Sequence, residues 1–76
     1  MKITMYTSKS CSKCMMAKNW LDTQNIPYET VYVDNFDDKQ MSDLITKANG
    51  AMALPIIFAD DKVFSGMNYR KIKELL

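Results

Sequence analysis

The sequence predicts one small α/β domain covering residues 1–76, with elements in the order βαβαββα and a four-stranded mixed sheet flanked by three helices. Three observations predict it. Short segments rich in β-branched and aromatic residues alternate with segments whose apolar residues recur at helical spacing. Breaks carrying Asn, Gly or Pro separate them. No repeat, low-complexity tract or linker interrupts the alternation.

Residues 2–7 place Ile3 and Met5 on one face and Thr4 and Tyr6 on the other, which is the period of a first strand. Over residues 14–24, Cys14, Ala17 and Leu21 recur at helical spacing, flanked by Met16 and Trp20, and Asn25-Ile26-Pro27 supplies the stop. Residues 28–33 are aromatic and β-branched, a second strand. Asn35 is the expected N-cap of the next helix, with Asp37 and Asp38 in its first turn, Met41, Leu44, Ile45 and Ala48 on its apolar face, and Gly50 just past its end. Residues 54–59 form a compact apolar run suited to a strand buried on both faces, and Asp60-Asp61 is a two-residue turn into residues 62–64. Residues 69–76 make a short amphipathic helix, with Ile72, Leu75 and Leu76 opposite Arg70, Lys71 and Lys73. The first three elements predict a right-handed crossover between parallel strands, and the hairpin adds antiparallel strands to the same sheet.

Composition narrows the function classes. A 76-residue chain buries only about 60% of its unfolded surface, leaving little core to spare for a deep enclosed active site. Ten Lys plus Arg against nine Asp plus Glu give a net charge of +1, which is not the footprint of a dedicated binder of nucleic acid or anionic membrane. The chain has no histidine, so catalytic triads and His-ligated metal sites are excluded. Residues 1–6 alternate like a strand and show no export signal, and no run of about 20 apolar residues occurs, so a soluble cytoplasmic monomer is expected.

The chemistry points to Cys11-Ser12-Lys13-Cys14, where the first strand gives way to the first helix. A helix N-terminus presents unpaired N–H groups and roughly half a positive charge, which favours a thiolate over a thiol. Cys11 is so placed, and Lys9 and Lys13 act in the same direction. Cys14 follows about one helical turn later on the buried face, within reach of Cys11. One sulfur attacks and the other resolves. A disulfide closing so short a loop adds less chain-entropy stabilisation than one closing a long loop, which argues against a structural staple. A zinc or iron–sulfur module is a reading of another class; with two thiols and no His it needs a dimer whose two chains together supply four cysteine thiolates.

Met5-Tyr6-Thr7, the Cys-Ser-Lys-Cys run, Ala53-Leu54-Pro55 and Phe64-Ser65-Gly66 together resemble the glutaredoxin branch of the thioredoxin superfamily, nearly end to end. Within it the chain is most similar to the NrdH-type redoxins, glutaredoxin-like proteins that behave like thioredoxins and supply electrons to class Ib ribonucleotide reductase. That subfamily carries approximately Trp-Ser-Gly-Phe-Arg-Pro before its last helix. Here Phe64-Ser65-Gly66-Met67-Asn68-Tyr69 keeps the Ser-Gly core and changes the flanks. The resemblance implies a thioredoxin-like fold and Cys11 and Cys14 as the catalytic dithiol. It implies a donor of the thioredoxin-reductase flavoprotein type, ribonucleotide reductase or another disulfide-bearing protein as acceptor, and no cofactor beyond the cysteine pair.

It also implies a cis Leu54–Pro55 peptide, which is favoured here over the plainer reading of a proline tolerated at the first position of a strand. A cis bond there would turn the backbone of Leu54 toward a groove, ready to pair with an extended substrate segment. Lys9, Ser12 and Lys13 would border that groove on the cysteine side. Ala53, Leu54 and Pro55 would border it on another side, with Ser65, Gly66, Met67 and Asn68 beyond them. Glutaredoxins that bind glutathione typically show Thr-Val-Pro at the cis proline and Gly-Gly followed closely by Asp before the last helix. In this chain the second Gly and the Asp are missing, which disfavours glutathione as the electron donor, although Lys9 and Lys13 still offer charges to its carboxylates. Met16, Tyr6, Trp20 and Phe58 are read as core, and Met52 and Met67 as partner contacts.

Overall fold

The computed structural model describes residues 2–75 and contains β1 (Ile3–Thr7), α1 (Ser12–Thr23), β2 (Glu29–Tyr32), α2 (Asp38–Lys47), β3 (Ile56–Ala59), β4 (Lys62–Ser65) and a terminal 3-10 helix (Gly66–Leu75). The strands form one sheet in the order β2-β1-β3-β4. β1 runs parallel to β2 and antiparallel to β3, and β4 is antiparallel to β3. The mixed four-stranded sheet with three helices is therefore present.

Alternation along the strands divides the core into two layers. Ile3 and Met5 of β1 and Ile57 and Ala59 of β3 face α1 and the terminal helix, where Ala17, Leu21, Tyr69 and Ile72 bury against them. Ile56 of β3 faces the other way, toward Leu44 of α2 and Ala48 at its C-cap, with Tyr6, Phe58 and Phe36 packed around them. A strand step reverses the side chain, so one run of apolar residues supplies both layers. Tyr6 sits edge-on to Phe58 at 5.6 Å between ring centroids, an arrangement favoured by the ring quadrupoles. Tyr6, Trp20 and Phe58 are only half-buried at the margins of the core.

Four local expectations are corrected. The N-cap of α2 is Asp37, two residues later than Asn35: its carboxylate accepts from the Gln40 backbone N–H at 2.8 Å, and the Gln40 side chain accepts from the Asp37 N–H at 2.9 Å. That reciprocal capping box outcompetes Asn35, which is followed three residues on by the shorter Asp38 rather than by Glu or Gln. Left-handed backbone at the end of α2 begins at Asn49 (φ 59°) and continues into Gly50 (φ 88°). Met16 is 47% exposed, because Cys14, Ala17 and Leu21 already fill the buried face of α1 and turn Met15 and Met16 outward. The last helix begins at Gly66 and is 3-10 in form; Gly66, Tyr69 and Ile72 are buried at every third residue, the repeat of three residues per turn. Leu75, next in that row, is exposed at the end of the helix, and Leu76 lies outside the described residues.

Candidate dithiol site

Strand register gathers the chemistry at one end of the sheet. Thr7, the last residue of β1, pairs with Tyr32 of β2, and Tyr6 beside it pairs with Ile56 of β3, which in turn pairs with Ser65 of β4. One step beyond that row stand Pro55, just before β3, and Gly66, just after β4. The loop to Cys11 leaves Thr7 at the same end, and so does the segment after β2, whose Val33 N–H bonds the Thr7 carbonyl at 2.8 Å. Four segments distant in sequence thus emerge together.

Cys11 is the N-cap residue of α1. Its sulfur accepts a hydrogen bond from the Cys14 backbone N–H at 3.2 Å, where a serine or aspartate oxygen usually stands. Its own N–H bonds the Ser8 carbonyl at 3.2 Å, closing the turn that presents it. The two sulfurs differ sharply: Cys11 is partly exposed, whereas Cys14 is fully buried. Burial pushes the Cys14 thiol up, and the hydrogen bond with Cys11 adds to this, while the Thr7 hydroxyl and the Ser8 backbone pull the other way. The outer sulfur therefore accepts one backbone N–H at the helix start, and burial favours the neutral thiol at the inner one.

The Leu54–Pro55 peptide is cis. Its loop is held by the Ser-Gly pair: the Ser65 hydroxyl donates to the Ala53 carbonyl at 2.6 Å, and the Gly66 N–H is shared between the carbonyls of Pro55 at 3.0 Å and Ala53 at 3.2 Å. Gly66 has φ +60°, and a Cβ there would stand 3.6 Å from that of Ala53, so strain rather than a clash is what a side chain would meet. Ser65 and Gly66 thus clamp the proline loop. Met67 and Asn68 follow them on the exposed side of the terminal helix, and Met52, Ala53, Lys9, Ser12 and Lys13 are exposed as well.

Asp34 had no assigned role in the sequence. Its carboxylate accepts from the Ser8 hydroxyl at 3.0 Å and from the Lys9 backbone N–H at 3.2 and 3.3 Å, tying the cysteine loop to the segment after β2. The signal was an aspartate two residues past a strand parallel to β1, but its partners lie about 25 residues earlier. Asp34→Ala removes that anchor. The expected cost is about 0.5–1.5 kcal/mol of loop order, read as a roughly two- to tenfold slower reduction of a disulfide substrate. Asp34→Asn, which keeps one acceptor, should fall between. An unchanged rate in Asp34→Ala would show that the loop holds its shape alone.

Among the described residues no cluster of three or more side chains suited to a metal is present, and no helix is long and apolar enough to cross a membrane. Residues 3–64 match the family model for glutaredoxin. Glutaredoxin 1 of Rickettsia conorii is 38% identical over 64 residues, 84% of this chain and 63% of that protein, so the chain spans about three fifths of the length of that relative. The glutaredoxin-like protein NrdH of Lactococcus lactis subsp. lactis is 28% identical over 75 residues, 96% of this chain and 97% of that one. The NrdH-redoxin of Escherichia coli, a glutaredoxin-like protein with a thioredoxin-like activity profile, superposes with a TM-score of 0.82 at 28% identity, over 100% of this chain and 96% of that one. The resemblance to NrdH-type redoxins thus extends to fold and to length.

Proposed function

This chain belongs to the glutaredoxin family, and from that membership we propose that it is a dithiol–disulfide oxidoreductase that reduces protein disulfides, drawing electrons from a flavoprotein of the thioredoxin-reductase type. The observation that carries the reading is the inequality of the two sulfurs, Cys11 partly exposed at a helix N-terminus and Cys14 buried with its thiol pushed up. The Cys11 thiolate attacks one sulfur of the target disulfide; an S–S bond forms to Cys11, the target bond breaks, and its other sulfur leaves as a thiolate. Cys14 then gives up its proton and attacks the Cys11 sulfur. The mixed disulfide breaks, the target leaves with both cysteines reduced, and Cys11 and Cys14 are left joined. Two electrons and two protons pass to the target, and the cysteine pair alone carries them.

Likeness to the NrdH proteins supports a class Ib ribonucleotide reductase as acceptor. The residues beside the proline loop support a protein donor. Asn68 stands where a glutathione site would place an acid, and the Ser65 hydroxyl is engaged with Ala53. The proposed setting is the cytoplasm, where thiols are kept reduced and the dithiol can be regenerated. The test is NADPH consumption in two coupled assays. Thioredoxin reductase should reduce the Cys11–Cys14 disulfide directly, and glutathione with glutathione reductase should do so poorly. Saturable turnover with glutathione and none with thioredoxin reductase would overturn the donor assignment.

A further inference from the structure

A second feature lies beside the cysteines, on the β2 side of their loop. Thr7, Ser8, Lys9, Met15, Lys18 and Tyr32 line a hollow of about 250 Å³. Thr7 and Ser8 also act on the Cys14 thiol, so the hollow adjoins the wall that surrounds the dithiol, although neither cysteine lines it. It is separate from the proline loop, whose residues do not line it. Small-molecule pockets run to about 300–1,000 Å³. This one has room for one side chain of a bound segment.

Charge says which side chain. The first 21 residues contain Lys2, Lys9, Lys13 and Lys18 and no acid, four of the chain's ten cations in a stretch without an anion. Lys18 is half-buried; its ammonium donates to the Tyr32 phenol oxygen at 3.0 Å and lies 5.2 Å from the centre of that ring. The phenol oxygen holds the lysine pKa up, and the same hydrogen bond positions the ammonium over the hollow. An ammonium has three donors, and one is engaged by the phenol. Among the described residues no carboxylate forms an ion pair with the Lys9 or Lys18 ammonium; Asp34 bonds the Ser8 hydroxyl and the Lys9 backbone N–H, and Asp22 acts on Lys18 only from a distance. Met15 and Tyr32, 62% and 45% exposed, give the hollow an apolar wall against which the methylenes of a longer acid can lie.

We propose that this hollow is a specificity subsite that takes a carboxylate side chain of the target protein, Glu in preference to Gln, next to the cysteine that Cys11 attacks. The proposal rests on the oxidoreductase reading above and adds to it a rule about the sequence of the substrate. Lys18 and Lys9 supply the charge, and Tyr32 fixes the position of Lys18.

The experiment uses two synthetic peptides, each with one internal disulfide, identical except for Glu or Gln beside the attacked cysteine. Oxidised glutathione serves as a third substrate. In the unaltered protein kcat/KM for the Glu peptide should exceed that for the Gln peptide by about two- to fivefold, the size of an exposed ion pair. The preference should shrink as salt is raised from about 0.05 to about 0.5 M, which shortens the screening length several-fold. Lys18→Gln should bring the ratio of the two peptides close to one, and Lys18→Arg should keep it above one. Lys39→Gln, exposed on α2, should leave the ratio as it was. Equal use of both peptides by the unaltered protein, or a preference that survives Lys18→Gln, would overturn the subsite. A Lys18→Gln defect confined to oxidised glutathione would reassign the hollow to that tripeptide and overturn it as well. Reduction of the Gln peptide reports separately on the dithiol chemistry, which stands or falls without the subsite.

Discussion

Cys14→Ser is expected to halt as a mixed disulfide, joined to its target through Cys11, whereas Cys11→Ser joins to nothing and loses turnover by several orders of magnitude. The step lost in Cys14→Ser is the release of Cys11 by the buried thiol; the step lost in Cys11→Ser is the first attack. The difference in exposure of the two sulfurs is the basis for these roles. A target disulfide can reach the partly exposed Cys11, but not Cys14, which lies beneath the first turn of α1 with no exposed surface. The raised Cys14 thiol also orders the pH dependence, since the resolving step requires its deprotonation and should quicken as pH rises above neutrality. The check is non-reducing electrophoresis and intact mass of each variant mixed with a disulfide-bearing protein. Adducts formed by Cys11→Ser and absent from Cys14→Ser would reverse the assignment.

Tyr69→Ala is expected to cost about 3–5 kcal/mol, the range for truncating a large buried aromatic residue. At roughly 0.05–0.15 kcal/mol per residue, a chain of this length holds about 4–11 kcal/mol in all, so the variant is at or near the limit of folding. Tyr69 is 1% exposed and meets Trp20 of α1 edge-on at 5.7 Å between ring centroids. It therefore joins the terminal helix to the helix that carries both cysteines. Urea unfolding measures the loss, with Lys71→Ala, exposed on the same helix, expected to change stability by no more than about 0.5 kcal/mol. A small shift for Tyr69→Ala would mean that the core closes over the gap.

What the sequence shows and what it hides divide along range. The cysteine pair was legible because its chemistry needs only a strand, a turn and a helix start, all within residues 3–14. The proline loop was legible through resemblance, but the reason for Ser65-Gly66 was not, since its bonds to Ala53 and Pro55 appear only once β3 and β4 are paired. Asp34 and the Lys18–Tyr32 contact share that obscurity, for their partners meet through the parallel register of β1 and β2. The N-cap of α2 was readable in principle, because Gln40 stands three residues after Asp37, whereas Asn35 has no Glu or Gln at that spacing. Met16 failed for a different reason. Along α1, Cys14, Ala17 and Leu21 fill the buried row and Trp20 its margin, which leaves Met16 on the outer face.

The period-three terminal helix has a consequence for how such a protein diverges. Its buried residues stand in single file at Gly66, Tyr69 and Ile72, and between them lie exposed pairs, of which Met67-Asn68 is the one beside the proline loop. Residues that hold the helix and residues that border the site therefore occupy different rows of one short segment. Replacing Met67 or Asn68 alters the rim at little cost in packing, since exposed positions away from special contacts shift stability by only about half a kcal/mol. Inserting one residue instead rotates all that follows by a third of a turn and expels Tyr69 or Ile72 from the core. In this segment drift in composition is cheap and drift in length is forbidden, so a lineage can retune its choice of partner while the scaffold beneath stays still.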